Sequence, residues 1–377
     1  MDKKIMKVRI TKRKILLLFM FILFTAISVA GKTELMVTLP LLSVLVSRHK
    51  ARQIEVIYCL LTACIIAGLI ALRVIEFSMF PQAAELFSVN EDVLYWIGTG
   101  HVHAIRLLIV YPGVVLSKLF GFELNLGVTI YSASLMTLIM YFMMRMMSIS
   151  KLENRISAMV SGLFIIALSY FMNGRLIFVF FGVSLLALYE LKFRENEVSV
   201  LMLQIVTAIS IVFTMVSSGT MVIAFAYAVI IMPYRWKKLR KASEKMVFTA
   251  IMLAGAIPVI CIFVPYLIKM IEKNIIYYGG GFQGAINMIN HGIGKIVNTN
   301  DKLLVVSLFV IGAMVVIVNI YLFNHKIIRR DHPNLPLILL VNLSVYGSIF
   351  GLSTGLTALI PLLVLMIEKM IKAFGLV

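Results

Sequence analysis

The chain has 377 residues, of which 61% are hydrophobic and only 14% charged, with a mean hydropathy of +1.02. A soluble domain keeps roughly 25% charged residues to solvate its surface, so this composition excludes a water-soluble globular fold. The formal charge of +18 does not mark a nucleic-acid binder, because Lys and Arg fall in short clusters between apolar runs and do not line one face.

The basic N-terminus MDKKIMKVRITKRK leads into an apolar run ending Ser28-Val29-Ala30-Gly31. That run reads as a first span or as a signal peptide, and either way the next residue emerges on the outer side. About 20 apolar residues cross a bilayer as a helix. Candidate spans follow at 15–31, 34–48, 54–73, 126–147, 156–173, 175–191, 198–217, 219–234, 247–270, 303–324, 335–350 and 353–371. The cations lie in the N-terminal segment and in the links RHKAR, SKLENR, KFRENE, YRWKKLRKASEK and HKIIRRDH, which the positive-inside rule assigns to the cytoplasm. Alternation then puts both termini in the cytoplasm and leaves two larger outer loops, at 74–125 and 271–302.

The segment AIRLLIVYPGVVLSKLF at 104–120 is apolar enough to pass for a further span. If it crossed, every later basic link would change sides; it also carries Arg106, Pro112, Gly113 and Lys118. It is therefore expected to lie along the outer membrane surface. The expected fold is all-α: a polytopic membrane helical bundle of about 12 transmembrane helices forming a single integral-membrane domain over 1–377. No repeat, linker or low-complexity stretch interrupts it.

Cys59, Cys64 and Cys261 sit in apolar runs and read as small buried hydrophobes, neither a disulfide framework nor a zinc site. GxGxxG after a strand, GxxxxGK[ST], HExxH and CxxC are all absent, so no cofactor or resident metal is expected. Chemistry must come from an activated bound substrate or an ion gradient.

The first outer loop gathers Glu85, Glu91, Asp92, Tyr95, Trp96, His101, His103 and Arg106. A carboxylate beside aromatics can act as a base on a sugar hydroxyl; the same residues also suit a solvated loop with interfacial anchors. His101 and His103 would share a face on an extended strand as metal ligands, but no third ligand lies nearby in sequence. Arg175, in the turn Asn173-Gly174-Arg175, enters an apolar span and suits a lipid-linked phosphate, or snorkels to the headgroups. Ser217-Ser218-Gly219-Thr220 is a small polar turn, a weak ligand site through Ser218 or a close helix contact. In the second outer loop Tyr277, Tyr278, Phe282, Gln283, Asn287, Asn290, His291 and Lys295 surround Gly279-Gly280-Gly281. That set suits a carbohydrate-binding lid or an ordinary flexible loop.

In layout the chain resembles the integral-membrane polymerases of bacterial O-antigen and exopolysaccharide (Wzy-type, EpsG-like) of the type C membrane glycosyltransferase superfamily. The likeness rests on Glu91-Asp92 in the first outer loop, followed by YPGVVLSKLFGFELNLG and the 126–147 span, and on Arg175 at an outer turn entering an apolar span. The turn that carries His in some members is here SSGT. The resemblance implies transfer of a growing glycan from undecaprenyl diphosphate to a lipid-linked repeat unit. Asp92, or Glu91 in its place, would be the general base and Arg175 would hold the departing diphosphate. Arg106, Tyr95, His103, Ser218, Tyr278, Gln283 and His291 complete the expected substrate-binding set. Partners would be the undecaprenyl-diphosphate-linked oligosaccharide, membrane lipid, a chain-length regulator and a flippase, with no nucleic acid. The alternatives are a flippase for the lipid-linked oligosaccharide and a non-catalytic scaffold; polar residues concentrated at the outer face favour chemistry over transport.

Overall fold

The computed structural model describes residues 12–47, 52–101, 103–150, 153–171, 174–216, 218–239, 241–258, 261 and 264–294. The expected spans at 303–324, 335–350 and 353–371, together with Asn173, Ser217 and Lys295, lie outside them. Among the described residues the chain is helical, with no strand. In order it forms α1 (Lys12–Val29), a 3-10 segment (Thr33–Thr38), α2 (Leu39–Ser47), α3 (Gln53–Ala71), α4 (Pro81–Val89), α5 (Val93–Gly98), α6 (Ala104–Phe120) and α7 (Leu124–Ile149). Then come α8 (Arg155–Phe171), α9 (Gly174–Arg194), α10 (Val200–Thr214), α11 (Ser218–Lys238), α12 (Ala242–Pro258), α13 (Val264–Tyr277) and α14 (Gly281–Gly294).

Among the described residues three helices are long and apolar enough to cross a membrane: α3, α7 and, from Leu176, α9. Shorter apolar helices at Lys14–Val29, Thr33–Ser47, Arg155–Phe171 and Val200–Thr214 accompany them. At 17 residues and carrying Arg106 and Lys118, α6 is not one of these. The expected span at 247–270 is two helices, α12 and α13. Proline accounts for the break, because Pro258 closes α12 and Pro265 occupies the first turn of α13, where a missing N–H costs nothing. The expected loop 271–302 is helical through most of its described part, as the end of α13 and the whole of α14.

The chain divides into two compact units. The first takes residues up to Met79, Tyr111–Arg145 and Glu153–Gly174. Within it α3 packs on α8 and on the 3-10 segment, and α1 on α2. Val37, Leu41, Leu42, Cys59, Ile66 and Met136 are fully enclosed. The Thr137 hydroxyl, in α7, donates to the Ser134 carbonyl of its own turn at 2.8 Å, and Ser134 does the same to Ile130 at 2.7 Å. Hydroxyls satisfied on their own helix let helix faces approach without stranding a polar atom in an apolar interior. A close approach in this unit joins the second half of α6 to α7: a Cβ on Gly127 would come within 2.4 Å of the Gly113 carbonyl oxygen. The chain reverses between them at Gly121, whose φ of 68° suits glycine, and the Ser117 hydroxyl donates to the Phe122 carbonyl at 2.6 Å.

One finding corrects the sequence reading that polarity gathers at the outer face. Inside the first unit Glu55 of α3, fully buried, accepts from Arg145 of α7 at 3.2 Å. Arg52 pairs with Glu153 at 3.0 Å, and its backbone N–H donates to Glu55 at 3.0 Å. The second unit comprises Phe80–Val110, Met146–Leu152 and the chain from Arg175. There Glu190 of α9 accepts from Arg235 and Tyr227 of α11, and Arg235 also reaches Gln204 and, at 2.8 Å, Thr207 of α10. Glu190 and Arg235 are each 1% exposed. Glu55, Arg145 and Glu190 fall inside expected spans, near the ends that adjoin the basic links, while Arg52, Glu153 and Arg235 belong to those links.

Candidate functional site

The expected first outer loop folds as α4, α5 and the start of α6, and its order begins with Asn90. The Asn90 side-chain oxygen accepts from the Asp92 backbone N–H at 2.8 Å, and its carbonyl accepts from the Trp96 indole N–H at 2.7 Å. Asp92 is the N-cap of α5, its Oδ1 accepting from the Leu94 N–H at 2.9 Å. Among the described residues its other oxygen has no hydrogen-bond donor, and the residue is exposed. Glu91 is exposed beside it.

From Asp92 a run of edge-to-face rings leads toward α6. Tyr95 meets Trp96 at 5.1 Å between centroids, Trp96 meets His101 at 5.4 Å, and His101 meets His103 at 5.6 Å. The His103 backbone N–H donates to His101 Nδ1 at 3.2 Å. Each contact is a local turn interaction, so the aromatic arch follows from spacing along the chain.

Arg106, one helical turn into α6, is 5% exposed. His103 is partly buried, and its pKa is lowered to about 4, first by burial and then by the charges of Arg106, His101 and Lys273. Lys273 belongs to α13, so a charge from that helix acts on His103. The result is a neutral imidazole held among cations, a setting that favours an incoming anion. Sequence reasoning missed Asn90 and Lys273; the signal for Asn90 was its Asn-x-Asp spacing ahead of a helix, whereas nothing local pointed to Lys273.

The hairpin of α13 and α14 turns on Gly279, Gly280 and Gly281, all at positive φ (114°, 77° and 54°). These glycines therefore make a tight turn. The Gly280 N–H donates to the Ile275 carbonyl at 2.9 Å, and Gly284 packs so close that a Cβ would lie 2.3 Å from that carbonyl oxygen. Gln283 donates to Asn287 at 3.1 Å, and Asn287 to the Tyr278 carbonyl at 3.0 Å, so both amides brace the hairpin. Tyr277 and Phe282 stand 80% and 83% exposed, while burial pushes the Tyr278 phenol above its ordinary value. Arg175 is the second residue of α9, Ser218 the first of α11, and His291 lies on α14; their side chains are outside the described part.

Asp92, Tyr95, His103 and Arg106 thus lie on one short stretch of chain, and the charge of Lys273 acts on His103. Gln283 serves its own hairpin. Among the described residues no three His, Cys, Asp or Glu side chains form a group able to hold a metal. Comparison with family models, curated proteins and solved structures finds no match to this chain.

Proposed function

We propose that this chain is a multi-pass protein of the bacterial inner membrane, with about twelve spans and both termini cytoplasmic. It polymerises undecaprenyl-diphosphate-linked oligosaccharide repeat units at the outer face, as a glycosyltransferase with a lipid-diphosphate-linked donor. The observation that carries this reading is the neutral His103 under the positive charges of Arg106 and Lys273, on the same stretch as an exposed carboxylate and an arch of aromatic rings. An anion-binding end and a basic end, separated by surfaces on which sugars stack, are what such a transfer requires.

In this mechanism the acceptor hydroxyl attacks the anomeric carbon of the donor glycan. Its proton passes to Asp92, or to Glu91, as a C–O bond forms to the acceptor and the anomeric C–O bond to the diphosphate breaks. Undecaprenyl diphosphate departs with the electron pair, and Arg106, Lys273 and Arg175 stabilise the charge it carries away. Tyr95 and Trp96 supply sugar-stacking faces. Tyr278, Gln283, Ser218 and His291 would bind substrate more remotely, with membrane lipid, a chain-length regulator and a flippase as partners.

A second reading, a flippase for the same lipid-linked oligosaccharide, gains support from the buried charges of Glu55, Arg145, Glu190 and Arg235. Surface polysaccharide from a deletion strain carrying wild type, Asp92→Asn or Arg175→Ala at matched protein level separates the two. Polymerisation predicts lipid A capped by single repeat units in both variants. Repeat units retained on the cytoplasmic face would favour the flippase, and full-length chains in both variants would reject catalysis by these residues.

A further inference from the structure

Within the second unit a cavity of about 580 Å³ lies where the link from α9 to α10, the end of α11 and the start of α12 meet. Its apolar wall includes Val200, Leu239 and Phe248, a buried cluster backed by Phe193, Met232 and Met252. Its polar edge carries Lys238, Lys241 and Ser243. Glu244 also lines it, 3.9 Å from Lys241, and offsets one of the two cations. Just outside, Lys245 lies 4.8 Å above the ring of the half-exposed Trp236, and Lys238 lies 5.4 Å above Tyr234. Trp, Tyr and Lys together are the signature of a chain segment at a membrane-water boundary.

We infer that this cavity is a binding site for an anionic phospholipid, its phosphate between Lys238 and Lys241 and its glycerol and upper acyl carbons against Val200, Leu239 and Phe248. Charge complementarity chooses the headgroup. The cavity is far larger than a phosphate ion, and its apolar wall would have no use for one. Ser243, in the first turn of α12, places that helix's unpaired amide N–H groups at the same edge, where they add to the attraction for a phosphate. The buried Glu190–Arg235 pair, on the neighbouring turns of α9 and α11, fixes the helix ends that form the cavity. This site is separate from the outer-face chemistry proposed above and stands whether or not that reading holds.

Native mass spectrometry of the full-length protein, titrated with phosphatidylglycerol, phosphatidylethanolamine or phosphatidylcholine, tests the site. Phosphatidylglycerol is expected to bind tightest. Lys238→Gln and Lys241→Gln should each weaken it about fivefold, and the pair about 25-fold. Leu201 also lines the cavity and is 42% exposed, so Leu201→Trp fills the space with no change of charge and little risk to folding. It should weaken phosphatidylglycerol as strongly as a single lysine change, while Lys3→Gln/Lys4→Gln should leave binding unaltered. Equal affinity for the three lipids would overturn the proposal. So would unchanged binding in Leu201→Trp, which would mark a diffuse basic surface, or displacement by glycerol 3-phosphate at the lipid's own concentration, which would mark a free-phosphate site.

Discussion

At the scale of single residues, the central tension is that Asp92 holds a helix end together and is also the proposed base. Asparagine caps as well as aspartate, whereas alanine forfeits about 1 kcal/mol. Thermal unfolding in detergent should therefore show Asp92→Asn near wild type and Asp92→Ala lower, while both lose polymer. Equal stability of the two would remove the capping role from Asp92. His103 permits a pH prediction from the same loop. Its pKa is about 4 in the fold against an ordinary 6.5, because burial and the charges of Arg106, His101 and Lys273 disfavour its protonated form. Between those values the unfolded chain binds the proton more readily, so the contribution of neutral His103 is complete above pH 6.5 and is lost as pH falls toward 4. His103→Gln should flatten the fall in melting temperature across that window; an unchanged slope would assign acid sensitivity to other groups.

At the scale of elements, glycine decides which helices touch. Gly113 and Gly127 bring α6 onto α7 with no room for a methyl group: a Cβ on Gly113 would sit 2.9 Å from the Val128 Cα. Gly127→Ala is expected to cost about 1–3 kcal/mol, since both obstacles at its Cβ include backbone. Gly68→Ala in α3 meets nothing within 4 Å and should be neutral or stabilising by up to about 1 kcal/mol. Size-exclusion profiles after graded heating would rank the two, and the reverse order would contradict the close crossing. Much at this scale was legible in the sequence. The segment 104–120 forms one helix with those bounds despite Pro112, and eight expected spans coincide with described helices to within about four residues, of which α3, α7 and α9 are long and apolar enough to cross a membrane. Two features were not. The run 247–270 was read through its hydropathy although Pro258 and Pro265 punctuate it, and the triple glycine was read as mobility although three successive positive φ values define a turn.

At the scale of the whole chain, local pattern reveals the apolar helices and the aromatic arch but not the partners that long separation brings together. Glu55 meets Arg145 across 90 residues and Glu190 meets Arg235 across 45, so nothing local in the sequence pairs them: Arg145 is a lone charge in an apolar run, and Arg235 is one cation among several in a basic link. Lys273 escaped notice in the same way. Among the described residues each compact unit thus encloses a carboxylate–guanidinium pair between helices. Taking two charges from water costs several kcal/mol per ion, which only close pairing and further hydrogen bonds offset. Arg235 obtains those bonds from Gln204 and Thr207, and Glu190 obtains one from Tyr227. Among the described residues the second Glu190 oxygen has no partner, so this group is balanced closely. Removing one member should therefore cost more than removing both. Glu190→Leu or Arg235→Met alone is expected to lose about 3–5 kcal/mol, because each strands the opposite charge. The double variant should recover most of that, and Tyr227→Phe should cost only about 1 kcal/mol. Thermal unfolding of the four proteins in one detergent measures the coupling directly. Strictly additive losses would show that Glu190 and Arg235 act independently, and that α9 and α11 are joined by apolar packing alone.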